Sequence, residues 1–212
     1  TVTLDAFWMD QTEVTNGMYA QCVESGACSP PGRTSSYSHS NYYGDPTYAN
    51  YPVMFVNWEQ AETYCEWAGR ELPTEAQWEY AARGGLAGAL YPWGDSFDGS
   101  LANFCDAKCT LSWPNQNFYD GYMDTAPSGS FLPNGYGLYD MAGNVFEWVA
   151  DWYGDYSSSA VENPTGPDSG DAGIIRGGSW RSYGNELRVS YRSGFTPTNA
   201  NRTIGFRCAL SP

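Results

Sequence analysis

Helical period is confined to a small part of this chain, and the remainder must therefore be built from short elements joined by irregular backbone. From Trp58 to Ala68, the residues Trp58, Ala61, Tyr64, Cys65 and Ala68 fall at i, i+3, i+4 spacings, and Gly69 supplies a stop. Thr74-Glu75-Ala76-Gln77 reads as a capping box opening a second helix that runs to about Arg83 and ends at Gly84-Gly85. A third helix is expected over Asn16–Val23. Elsewhere 24 Gly and 13 Pro punctuate the sequence, so turns are frequent and elements brief. One domain over 1–212 is expected, α+β and loop-rich, with a core supplied by 9 Trp, 17 Tyr and 9 Phe.

Alternation of Val2, Leu4, Ala6 and Trp8 against Thr3, Asp5, Phe7 and Met9 predicts extended backbone over Thr1–Thr15. Residues 25–50 are rich in Gly, Pro, Ser and Tyr without period and read as an irregular loop ordered by packing. Regular pattern returns at Glu147–Trp152, and strands are expected at Gly173–Ser179, Leu187–Tyr191 and Gly205–Leu210.

The net charge is −14 and Lys108 is the only lysine. Nucleic acid and anionic membrane are poor partners for such a chain, because phosphate binding needs clustered cations. No apolar run approaches the roughly 18 residues of a membrane-spanning helix. The acidity reads either as a solvated surface or, more sharply, as sites for divalent cations. Six cysteines form an even set, with Cys22 near Cys28 and Cys105 near Cys109. Neither spacing suits structural zinc, and His39, which reads as a plain surface residue, is the single histidine. Disulfides and an oxidising compartment are the better reading.

Four stretches carry a resemblance. They are Asp10-Gln11-Thr12-Glu13-Val14-Thr15-Asn16; Arg70-Glu71-Leu72-Pro73 continuing through Trp78-Glu79-Tyr80 to Gly84-Gly85; Tyr136-Gly137-Leu138-Tyr139-Asp140-Met141-Ala142-Gly143-Asn144-Val145-Phe146-Glu147-Trp148; and Arg176-Gly177-Gly178-Ser179-Trp180 with Gly205-Phe206-Arg207. In this order and spacing they resemble the formylglycine-generating enzyme (sulfatase-modifying factor) family over essentially the whole chain. The resemblance implies a C-type-lectin-like fold with little regular secondary structure, and a Cys65–Cys208 bridge. It also implies calcium. One site would use the side chains of Asp140 and Glu147 with the carbonyls of Gly143 and Val145, an alternation of oxygen donors suited to a hard cation; the alternative is that the two acids cap turns. A second would use Asn103 and Asp120 side chains with the carbonyls of Phe104 and Tyr122.

The family's oxidases hold copper on a pair of cysteine thiols after the Gly-Gly-Ser motif, and soft thiolates select the cuprous ion. In this sequence the first position is Ser182, and 181–192 contains no cysteine. An active-site tryptophan of the family is replaced by Phe146, whereas Ser179 is kept. No copper and no catalytic residue are therefore expected. The favoured reading is a non-catalytic binding, display or assembly module, extracellular or on a bacterial cell surface, meeting a protein or glycan ligand or other copies of itself. Its candidate face is Arg181, Tyr183, Asn185, Phe195 and Asn199, where aromatic, Arg and Asn side chains interleave; ordinary loop packing is the bland alternative. This stretch also resembles the variable region of diversity-generating retroelement proteins. The competing hypothesis is an enzyme of the family with divergent oxidative chemistry, as in its iron-dependent sulfoxide synthases, but one histidine does not make an iron site.

Overall fold

The computed structural model describes residues 1–211. Its centre is a four-stranded sheet ordered β6-β5-β3-β7, from β3 (Phe146–Trp152), β5 (Gly173–Arg176), β6 (Arg192–Phe195) and β7 (Ile204–Phe206). β5 runs antiparallel to both neighbours, while β3 and β7 are parallel, with Glu147 opposite Arg176 on one side and Gly205 on the other. Because successive side chains point to opposite faces, β3 and β5 sort their residues between two cores. Trp148 and Ile175 join Phe206, Tyr19 and Tyr64 under α1 (Asn16–Glu24) and α2 (Trp58–Trp67). Val149 and Ile174 meet Trp78 and Ala81 of α3 (Glu75–Arg83) on the other face.

α2 and α3 both open on a capping box. Asn57 caps α2 reciprocally with Gln60, and Thr74 caps α3 reciprocally with Gln77. Gly84 closes α3 in the left-handed conformation. Cys65 of α2 is bonded to Cys208, which ties the helix to the chain just after β7, and Cys22–Cys28 and Cys105–Cys109 are local bridges. All six cysteines are thereby consumed.

Several expectations are corrected. Residues 1–15 do not form one strand: only β1 (Val2–Thr3) and β2 (Trp8–Met9) pair, with β4 (Val161–Glu162) and β8 (Ala209–Leu210) respectively. The alternation there does not mark a buried face, since Val2 and Trp8 are 54% and 65% exposed. The expected strand over 173–179 stops at Arg176 because Gly177 and Gly178 turn with φ of 90° and 79°. A Cβ on Gly178 would lie 2.6 Å from Leu187 Cδ2, so glycine is required there. The expected strand over 187–191 is absent, and β6 starts one residue later. Two of its carbonyls, Val189 and Tyr191, accept instead from the buried Arg176 guanidinium. The expected strand over 205–210 is divided at Arg207 between β7 and β8.

Candidate functional site

The Gly177-Gly178 turn delivers Ser179, Trp180 and Ser182 to one end of the sheet. Ser182 N–H donates to Ser179 O at 2.9 Å, and Ser182 Oγ accepts the Ser179 N–H at 3.1 Å. Ser179 Oγ in turn accepts the Arg181 N–H. Both serines are 1% exposed. Cys105 N–H donates to Ser182 O at 3.2 Å, so the loop closed by Cys105–Cys109 lies directly against the position where the family's oxidases place a thiol. Phe146 stands beside Tyr191, ring centroids 6.3 Å apart.

Around this closed centre the surface is aromatic and cationic. Trp180 is buried and donates Nε1–H to Arg202 O; Tyr37 packs on it at 5.5 Å, and the Arg181 and Arg202 guanidinium groups lie over Trp180 and Tyr37. Tyr183, 48% exposed, stacks on Trp113 at 3.8 Å. Arg181 and Tyr183 thus belong to one patch, and Asn185 is exposed on the adjoining turn. Phe195 does not join them: it lies on β6 and packs against Trp148 at 5.9 Å, as part of the sheet's core. Asn199 is exposed on a separate turn closed by its N–H on Thr196 O. His39 is more than a surface residue, since Nδ1 bonds Tyr48 Oη at 2.9 Å and its ring packs on Tyr48.

The two expected calcium sites differ in how their donors are engaged. Asp140, Gly143 and Val145 lie on the turn entering β3 and Glu147 is the second residue of that strand, with Asp140 and Asn144 in the left-handed region. Gly143 is held against Asn103, whose carbonyl oxygen would meet a Cβ at 2.2 Å. Glu147 is fully buried and already neutralised: Arg207 donates Nε–H to its Oε2 and Nη2–H to its Oε1 at 2.8 and 2.7 Å, and Trp78 donates to Oε2 at 2.7 Å. A cation there would need Glu147 to loosen its hold on Arg207. Burial, reinforced by Glu147, pushes Asp140 up to about 6, while the Gly129 N–H and Arg207 oppose the shift. Glu13 is fully buried beside them, accepting from Asn144, Ser128 and the Val145 N–H, and burial followed by the charges of Asp140 and Glu147 raises its pKa well above the usual range.

The other site is less satisfied. Asn103 Nδ2 donates to Asp124 O and Asn144 Oδ1, and Asp120 Oδ1 accepts the Tyr122 N–H. Asp120 Oδ2 is buried and has no hydrogen-bond partner. Asp106, 1% exposed, accepts the Asp120 N–H. Burial, with the Asp106 charge adding, pushes Asp120 up to about 7. Two adjoining carboxylates and an orphaned oxygen fit a hard cation. Among the described residues no group of three or more His, Cys, Asp or Glu gathers at one point, so a cation here would rest on these acids with amide and backbone oxygens. Asp106 was not legible in the sequence; its only mark is its place inside the Cys105–Cys109 loop.

A small central sheet, helices on its two faces and long structured loops carrying every candidate site define the C-type-lectin-like scaffold of formylglycine-generating enzymes. The chain matches the sulfatase-modifying factor enzyme 1-like domain over residues 1–212 and belongs to that family. It is 46% identical over 169 residues to the formylglycine-generating enzyme of Streptomyces coelicolor, covering 76% of this chain and 52% of the relative. It is 42% identical over 166 residues to the inactive C-alpha-formylglycine-generating enzyme 2 of Mus musculus, covering 76% and 49%. The chain thus spans about half the length of these curated relatives. Treponema denticola variable protein 1 superimposes with a TM-score of 0.80 at 25% identity, covering all of this chain and 87% of that one.

Proposed function

We propose that this domain is a non-catalytic binding module, calcium-stabilised and extracellular, that presents the Trp180 patch to a protein or glycan ligand or to other copies of itself. The observation that carries this reading is the state of the family's copper position. Ser182 stands where a thiolate would be needed, both it and Ser179 are closed to solvent, and the cysteine hydrogen-bonded to it, Cys105, is held in the Cys105–Cys109 bridge. A hydroxyl is too hard and too basic to replace a thiolate on a cuprous ion, and all six cysteines are in bridges. Three disulfides support an oxidising location. Among the relatives, a formylglycine-generating enzyme and an inactive C-alpha-formylglycine-generating enzyme are about equally similar to this chain, so the thiol count is the better guide to activity.

In this reading a cation between Asn103 and Asp120 locks the loop that lies against Ser182, and the aromatic and arginine side chains of the patch make the contacts. The experiment is to incubate the protein with copper, oxygen and a sulfatase-type cysteine peptide and to follow the peptide by mass spectrometry. An unchanged peptide is expected. Conversion of the thiol to the aldehyde above the enzyme-free control would overturn the assignment in favour of an enzyme.

A further inference from the structure

A separate feature lies across α3 from the sheet. A cleft of about 1520 Å³ opens between the N-terminal segment, the exposed face of α3 and the loop after β3. Its walls are aromatic: Trp8, Tyr80, Tyr136 and Tyr156 are between 47% and 65% exposed, and the Tyr80 and Tyr136 rings lie 5.6 Å apart with their hydroxyls bonded. Six carboxylates line it, from Asp5, Glu75, Glu79, Asp151, Asp155 and Glu162, against Arg83 and Arg192. Both arginines are already paired, Arg83 with Glu79 at 2.7 Å and Arg192 with Glu75 at 2.8 Å. Four acids are left without an internal cation.

Asp151 is the most telling of them. It is 5% exposed, its Oδ2 accepts the Glu75 N–H at 2.6 Å, and among the described residues no other residue donates to its Oδ1. Gly166, at the cleft, leaves Asp151 uncovered, since a Cβ there would lie 3.1 Å from that same Oδ1. Burial pushes Asp151 up to about 6; the Glu75 N–H opposes the shift, the Glu75 carboxylate adds to it and Arg192 opposes it. Next to it the protein displays the ligand chemistry in its own side chains: the Arg192 guanidinium sits 4.4 and 4.3 Å from the ring centroids of Tyr153 and Tyr156 and is gripped by both oxygens of Glu75.

We propose that this cleft docks an arginine- or lysine-bearing segment of a partner protein, with one cationic side chain seated on Asp151 between the tyrosine walls. Excess negative charge, aromatic faces and a carboxylate oxygen that reaches the cleft without a donor from another residue complement a cation and not an anion or an apolar helix. The site is independent of the Trp180 patch.

The probe is capped hexa-arginine, titrated at physiological salt against the folded protein and followed by isothermal calorimetry, with hexa-glutamate as control. Asp151→Asn keeps the acceptor for Glu75 N–H and removes the charge; about tenfold weaker binding is expected, the loss of one charge-assisted contact. Glu66→Gln, on the exposed face of α2, removes the same charge elsewhere and should change affinity less than about twofold. Equal losses in the two variants, or no loss in Asp151→Asn, would overturn the proposal, as would binding of a neutral oligosaccharide with none of hexa-arginine. Should Asp151→Asn fail to fold by circular dichroism, the rim variants Glu162→Gln and Tyr80→Ser, both at exposed positions, carry the same test with the same outcomes.

Discussion

Asp120 supplies the sharpest test of the calcium reading, because its chemistry sets both the size and the pH range of the effect. Its carboxyl is raised from 3.8 to about 7 by burial and by Asp106. Ionisation therefore opposes folding when no cation is bound: this group favours the native state in acid, and that preference is lost as pH rises from about 3.8 toward 7. Calcium reverses the sign, since it binds the ionised form and displaces the proton. With a midpoint near 7, about 3% of Asp120 is ionised at pH 5.5 and about 75% at pH 7.5, so apparent calcium affinity should rise about 25-fold over that interval and level off above pH 8. Calorimetric titration of the chelator-treated protein at pH 5.5, 6.5 and 7.5, repeated in two buffers of different ionisation enthalpy, reads both the affinity and the protons released. Near half a proton should leave per calcium at pH 7. Asp120→Asn should abolish the pH dependence and most of the affinity. Calcium uptake that is absent at pH 7.5, or equally tight at pH 5.5 and 7.5, would refute the reasoning.

Replacing Cys65 and Cys208 together by Ala frees a loop of 143 residues, for which chain entropy gives about 5 kcal/mol, read as a lower denaturant midpoint in non-reducing urea unfolding. Arg207→Met leaves Glu147 buried with only Trp78 as donor, next to Asp140 and Glu13, and a loss of about 3 to 5 kcal/mol is expected in the same assay, larger at pH 8 than at pH 5. Tyr183→Ser removes the stack on Trp113 at the surface; thermal unfolding should move by no more than about 1 kcal/mol equivalent while ligand capture by the patch is lost.

Much of the frame is legible in the residues. The capping box and stop of α3 follow from Thr74, Gln77 and Gly84, the stop of α2 from Gly69, and the close spacing of Cys22 with Cys28 and of Cys105 with Cys109 gives the local bridges. What escaped was set by contacts distant in sequence. The failure over 187–191 traces to Arg176, whose guanidinium takes carbonyls that a strand would have offered to a neighbour; nothing local to those residues signals it. Alternation over 1–9 misled because Val2, Leu4, Ala6 and Trp8 lie on a cleft wall, while it is Phe7 and Met9 of the opposite set that pack against the Trp78 core. Phe195 was grouped with Arg181 on composition alone, whereas the register of β6 turns it onto Trp148. Asp120 was reached through the family motif, but its partner Asp106 is visible only once the Cys105–Cys109 loop is folded back on residues 115–120.

The Cys65–Cys208 bridge also decides how the domain responds to force. β3, β5, β6 and β7 all lie between the two bonded cysteines, whereas β1, β2 and α1 precede Cys65 and β8 follows Cys208. Tension applied through the two ends peels the outer segments and then meets a covalent bond. The sheet, the Ser182 centre and Trp180 itself stay outside the loaded path, whereas Tyr37, which packs on Trp180, lies in the segment that is peeled. In the reduced protein the same tension runs through the sheet, and extending the 143 residues between the cysteines lengthens the molecule by roughly a further 480 Å. The bridge therefore acts as a strain limiter that spares the central sheet while the flanking elements yield.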